Sequence, residues 1–166
     1  MAGVVVLGLD PGSRVTGFGV IAEVSGQARL LEAGTIRTGD KDMAARLGTI
    51  FSKVSAVIER HSPGEAAMEN VFVSENMASA LKLGQARGAA LAACGVAGLA
   101  VAGYEPSKVK KSLVGVGSAD KKQVAFMVAR VLGVKDPDWA LDASDALAVA
   151  VCHLNERRMR KLAGLA

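Results

Sequence analysis

The sequence is poor in the residues that staple small domains together. Its two cysteines, Cys94 and Cys152, lie far apart and form no CxxC. That excludes a sequence-readable zinc site and a disulfide scaffold, and it suggests a reducing compartment. Aromatic residues make up only 4%, so the core has to be built from Ala, Val, Leu and Ile. The long uncharged stretch from Gly88 to Gly103 is mostly Ala and Gly and falls short of the ~20 strongly apolar residues of a membrane span. Met1 to Asp10 has no basic n-region, so no signal peptide is expected and the expected location is cytoplasmic. No GxSxG and no P-loop occur, which leaves serine-nucleophile and Walker-type chemistry without support. Histidine is scarce too. His61 precedes Ser62-Pro63, where a cation suits a helix end. His153 lies eleven residues past Asp142, ~16 Å along a helix axis and too far to share a metal with it.

What is present describes a globular chain. Its 166 residues and 17.0 kDa fit a single domain over 1–166. Hydrophobic residues make up 51% and charged residues 22%, and a chain this long can bury ~70% of its extended surface without disulfide or structural metal. The net charge of +4 is unevenly placed: residues 1–105 carry −1 and residues 106–166 carry +5. A basic segment favours a polyanionic partner, most often nucleic acid, although an ordinary solvated surface reads the same way.

Along the chain, Val4 to Leu9 is a short β-branched run, ended by the turn signal Asp10-Pro11-Gly12-Ser13. Gly17–Glu23 and Ala28–Arg37 read as strands joined in a hairpin near Ser25-Gly26. Leu47, Ile50, Val54, Val57 and Ile58 recur at helical spacing within Asp42–Arg60, and Ser62-Pro63-Gly64 stops that helix. A strand at 66–71, a helix at 77–97, a strand at 100–104 and helices at 106–113, 122–132 and 142–160 complete the order. Three antiparallel strands continuing through helical crossovers predict a five-stranded mixed α/β sheet flanked by helices.

Four acids stand where chemistry would want them. Asp10 ends the first strand and Glu69 nears the end of the fourth. If those strands are parallel, both acids share the rim where α/β sites gather. Asp10 also suits a plain turn, and Glu69 a surface position. However, Glu69 sits among Ala66, Ala67, Met68 and Val71, where a carboxylate is costly to bury unless paired or metal-bound. Asp142 and Asp145, three apart, share one helix face near its amino terminus; the same placement suits the helix dipole, or Asp142 as an N-cap. Gathered carboxylates repel unless protons or cations intervene. Hard oxygen ligands favour Mg²⁺, with Mn²⁺ as its substitute, and two such ions suit phosphodiester hydrolysis.

Several segments together resemble one family. They are Leu9 to Gly19, Glu69-Asn70-Val71-Phe72, Ser79 to Gly88, Gly115 to Lys121 and Asp142 to Ala148. In that order, over nearly the whole chain, they resemble the RuvC family of bacterial Holliday-junction resolvases. The resemblance implies an RNase H-like fold and a homodimer. It also implies a Mg²⁺-dependent endodeoxyribonuclease that nicks two opposing strands of a four-way junction in recombination and repair, and contact with a branch-migration motor. Matched residue by residue, the family's catalytic and metal-binding acids fall on Asp10, Glu69, Asp142 and Asp145. Its DNA-contacting residues fall on Phe72, Lys110 and Lys121. Phe18 stands where Tyr is usual and Asn70 where Gln or an acid is usual. The segment Asp136 to Leu141, with Trp139, looks particular to this chain.

These carry-overs make physical sense. An exposed Phe72 beside a metal site can stack on an unpaired base, though it also suits a hydrophobic staple onto the next helix. Lys108, Lys110, Lys111, Lys121 and Lys122 face a single acid, Asp120, in 107–122, which suits phosphate contacts or a solvated helix face. Ala80, Gly84, Gly88 and Ala92 form a small-residue stripe. It admits close approach either of the chain's own sheet or of a second subunit. Three rival readings are a junction-binding architectural protein without activity, a nuclease of this fold acting on other nucleic acid, and an ATPase. The last arises because Asp10-Pro11-Gly12-Ser13 also resembles the first phosphate loop of sugar-kinase and actin-like ATPases, which need two such domains.

Overall fold

The computed structural model describes residues 3–70 and 76–165. Its sheet has five strands, in the order 27–37, 15–24, 5–10, 65–69 and 101–104, with β1 (Val5–Asp10) at the centre. The strand β2 (Val15–Val24) lies antiparallel to β1, and β3 (Gln27–Arg37) antiparallel to β2. The turn between them is Ser25-Gly26, with φ of 51° and 78°, the doubly left-handed geometry that matches strand twist in a two-residue hairpin. On the other side β4 (Glu65–Glu69) and β5 (Val101–Tyr104) run parallel to β1. The expected mixed five-stranded sheet is therefore present, each element ending within two or three residues of its predicted bounds.

Two helices cover one face. The first, α1 (Met43–His61), starts on an Asp42 cap whose carboxylate accepts from the Ala45 N–H at 2.8 Å. It stops at Ser62, held at φ 45° before Pro63. Beside it lies α2 (Met77–Val96), capped by Asn76. Both pack on the sheet through Leu7, Leu9, Val20, Ala66 and Met68. On the other face lie α3 (Pro106–Val114), α4 (Lys121–Val131) and α5 (Leu141–Leu162). Pro106 opens α3 at a position that needs no N–H, and an Asp120–Gln123 capping box opens α4.

The helix α5 is the buried one. Every residue from Ala146 to Leu154 is buried, because the sheet lies on one side and α3 and α4 on the other. It can sit so close because β1 and β2 present glycines beneath it. A Cβ on Gly8 would stand 2.0 Å from the Ala146 carbonyl oxygen, and one on Gly17 1.9 Å from that of Asp142. Those bare positions fix how near the start of α5 comes to the end of β1. Among the described residues, no helix is long and apolar enough to cross a membrane.

Candidate active site

Asp10 is the last residue of β1 and Glu69 the last of β4. The two strands are parallel with Leu9 opposite Met68, so the acids fall side by side, on the face that α5 covers. Asp142 and Asp145 descend onto the same point from α5. Asp142 is in the first turn but does not cap the helix: the N-cap is Ala140, which has no side chain to bond. The cap reading of Asp142 is therefore corrected, and its carboxylate is left for the cleft. One ligand oxygen each from Asp10, Asp142 and Asp145 lie within 4.8 Å of one another. Glu69 lies outside that close group but lines the same cleft of about 260 Å³. Lys110 and Lys121 complete its polar wall, and Pro106, Val109, Val124 and Ala148 supply the apolar one.

The electrostatics are those of a crowded anionic site. Burial, then the carboxylates of Asp145, Glu69 and Asp142, push Asp10 from 3.8 up to about 7, against the pull of Lys121. Burial and Asp145 likewise raise Glu69, while Lys110 and Lys121 oppose the rise. Lys121 donates to the Asp145 carboxylate at 3.3 Å, and the Asp145 charge holds the ammonium above its ordinary range. A lysine at the first position of a helix faces the positive end of its dipole. The acids offset that cost, so Lys121 belongs to the cleft rather than to helix stability. Three close carboxylates, one of them driven toward its protonated form, fit a hard divalent cation, which would relieve their repulsion.

The loop after Asp10 is tied down by residues that the sequence did not single out. Thr16, fully buried, donates through its hydroxyl to the Gly12 carbonyl at 3.0 Å, and buried Thr38 to the Ser13 carbonyl at 2.8 Å. After Glu69, Asn70 donates its backbone N–H to the Tyr104 carbonyl at 2.7 Å and its side-chain amide to Glu105 at 3.1 Å. Both strand ends are thereby fixed to their neighbours. The lysine-rich segment divides. Lys110 and Lys121 reach the cleft, whereas Lys108 pairs with Glu156 at 2.9 Å. Phe72 lies outside the described residues.

The histidines are structural. His61 bonds Glu32 at the end of α1. His153 is buried between the Tyr104 hydroxyl at 2.7 Å and Glu65 at 2.6 Å, as its distance from Asp142 required. The stripe Ala80, Gly84, Gly88 and Ala92 does not face the sheet. The sheet-side residues of α2 are Ala86, Ala90, Ala93 and Cys94, and a Cβ on Gly84 or Gly88 would meet nothing among the described residues within 4 Å.

Residues 6–153 match the family model described as crossover junction endodeoxyribonuclease RuvC. A crossover junction endodeoxyribonuclease RuvC of Solidesulfovibrio magneticus is 60% identical over 161 residues, 96% of this chain and 95% of that one. T. thermophilus RuvC in complex with Holliday junction substrate superposes with a TM-score of 0.88 at 38% identity, over 94% of this chain and 96% of that one. The yeast mitochondrial Holliday junction resolvase Ydc2 has a TM-score of 0.69 at 11% identity, over 95% of this chain and 82% of that one. That last likeness speaks for fold alone, and the fold is RNase H-like.

Proposed function

The chain belongs to the RuvC family of crossover junction endodeoxyribonucleases, and from that premise we propose that it hydrolyses phosphodiesters in two opposing strands of a four-way DNA junction, dependent on Mg²⁺. The observation that carries this reading is the convergence of Asp10, Asp142 and Asp145 within 4.8 Å at one rim of the sheet, with Glu69 and two lysines lining the same cleft. An architectural junction-binding protein would need the lysines but not the acids.

In this reading Asp10, Asp142, Asp145 and Glu69 would hold divalent metal, Mg²⁺ or Mn²⁺ in its place, which would supply Lewis-acid charge at the phosphate and a more acidic water. The protein's own groups do the rest. Lys110 and Lys121 border the acids and neutralise phosphate oxygens, positioning the strand without reading its sequence. The apolar wall of Val109, Val124 and Ala148 lowers the local dielectric and strengthens each of those contacts. The bonds from Thr16, Thr38 and Asn70 fix the two strand ends, so that binding energy is not spent on ordering the acids. Phe72, three residues past Glu69, is assigned to stacking on an unpaired base. In the reaction water forms one new P–O bond as the bond to the leaving strand oxygen breaks.

Two paired cuts need two such sites, and a two-fold dimer supplies them. The exposed stripe on α2, flanked by Leu81 at 65% and Met77 at 80% exposure, is the surface we assign to that contact. Gly84→Lys should yield a monomer by analytical ultracentrifugation; an unchanged dimer would move the interface elsewhere. The activity itself is tested on a denaturing gel. A labelled synthetic four-way junction, with Mg²⁺, should show symmetric paired nicks while linear duplex of the same sequence stays whole. Equal cutting of the duplex would reassign the protein to general nuclease activity, and binding without cuts to an architectural role.

A further inference from the structure

One surface of the molecule is used neither by the cleft nor by the α2 stripe. The segment that returns from the end of α4 to the start of α5, residues 133–140, stands away from α4 and leaves a groove of about 580 Å³. Phe126, Ala129, Val134, Pro137, Trp139 and Leu141 form its walls. Phe126 is 61% and Leu141 60% exposed, so large apolar side chains stand in solvent on both sides of one depression. Isolated exposed apolar residues are ordinary; several around one concavity are not.

Trp139 is held ready. Its indole N–H donates to the Ser144 hydroxyl at 2.8 Å, which satisfies the ring's one polar group on the inner side. The ring packs against the core cluster of α4 and α5 while lining the groove. A fixed aromatic with its N–H already bonded loses little entropy when a second apolar group packs on it.

The charged side chains that line the groove have one sign. Among the described residues Arg130 and Lys135 line it and no acidic side chain does; Asp136 and Asp138 sit on the same segment, exposed, but are not part of the lining. The Arg130 guanidinium lies 5.8 Å from the centre of the Phe126 ring. Among the described residues neither cation enters an ion pair, although Lys108, Lys121, Arg157 and Arg158 each do. An apolar trough bordered by two cations that are free of ion pairs complements a bulky apolar side chain flanked by carboxylates. Nucleic acid fits less well. The trough is walled partly by aliphatic and proline side chains and presents two cations rather than a track of them.

We propose that this groove is a docking site for an acidic, extended peptide segment of a protein partner, anchored by an aromatic or aliphatic side chain between Phe126 and Trp139. The proposal does not rest on the nuclease reading, since the groove shares no lining residue with the cleft.

Trp139 is the sole tryptophan of the chain, so its emission reports on the groove directly. Heptapeptides selected from a random display library on the full-length protein should converge on Asp or Glu beside Phe, Trp or Leu. A synthetic consensus peptide lacking tryptophan should shift the Trp139 emission saturably. The double variant Arg130→Glu with Lys135→Glu should bind it at least about tenfold more weakly while cutting junctions like the wild type. No acidic–apolar consensus, or a consensus peptide that binds the double variant equally well, would overturn the proposal. So would a single-stranded oligonucleotide that shifts the emission and displaces the peptide, which would make the groove a nucleic-acid contact.

Discussion

At the scale of single residues, Asp142→Asn should keep junction binding and abolish cleavage, since the role proposed for its carboxylate is to hold metal and not to contact phosphate. Parallel gel-shift and cleavage assays check this, and near-normal cutting would remove Asp142 from the site. The four acids were legible in the sequence: Asp10 and Glu69 because each ends an apolar strand, and Asp142 and Asp145 because a spacing of three puts both on one helix face. The anchoring bonds of Thr16, Thr38 and Asn70 were not, because they reach carbonyls and side chains that only the fold brings near. The high position of Asp10, about 7, has a definite sign. Between 3.8 and about 7 the folded chain holds a proton that the unfolded chain has released, so this group's contribution to stability falls as pH rises through that window. Asp10→Asn should therefore melt higher than the wild type at pH 8 without metal, by several degrees if the relief is ~1–2 kcal/mol, and the gain should shrink towards pH 4. Melts in chelator read this directly; a lower midpoint for the variant at pH 8 would mean that Asp10 is not held against its repulsion. Lys121 lowers both Asp10 and Glu69, so Lys121→Ala should move the acid limb of the cleavage profile to higher pH.

At the scale of elements, patterning located the strands and helices but not their layering. The run from Ala146 to Leu154 is buried on all sides, so no amphipathic period betrays which side of α5 meets the sheet. Nor did sequence reveal why α5 sits so low. Gly17 stands opposite Asp10 in the ladder and beneath the Asp142 carbonyl. A Cβ there would press on helix backbone, which cannot rotate away. Gly17→Ala should lift the start of α5, cost about 1–3 kcal/mol, and reduce turnover far more than junction affinity. Affinity and turnover losing in equal measure would mean general unfolding instead. At the far end of the same helix, burial alone would raise Glu65, but hydrogen bonds from Arg157 and His153 outweigh it and hold the carboxylate below 4.5. A lowered carboxylate contributes stability above its unfolded value and loses it as pH falls through the folded one. Glu65→Gln should thus weaken the protein at pH 7 and narrow the gap to wild type in acid, as urea melts at the two pH values would record.

At the scale of the whole molecule, one sheet carries two different surfaces on its two faces. The α1–α2 face turns a small-residue stripe outward, and the α3–α4–α5 face carries the acids and the lysines. The sequence left open whether that stripe met the sheet or a second subunit. Its spacing was readable, its direction was not, because Ala86 and Ala90, which do meet the sheet, are small as well. The uneven charge of the sequence marked the segment that holds Lys110 and Lys121 but not their place beside the acids, and Lys108 of the same segment is engaged by Glu156. Everything then depends on whether the gathered carboxylates bind metal as one site. The direct measurement is calorimetric titration of the protein with Mn²⁺ at pH 6.5, in two buffers of different ionisation heat. We expect saturable binding with release of a proton as Asp10 gives up its own, and loss of that binding in Asp142→Asn. Binding of equal strength in the variant, or no proton release in the wild type, would contradict a metal site built on these acids.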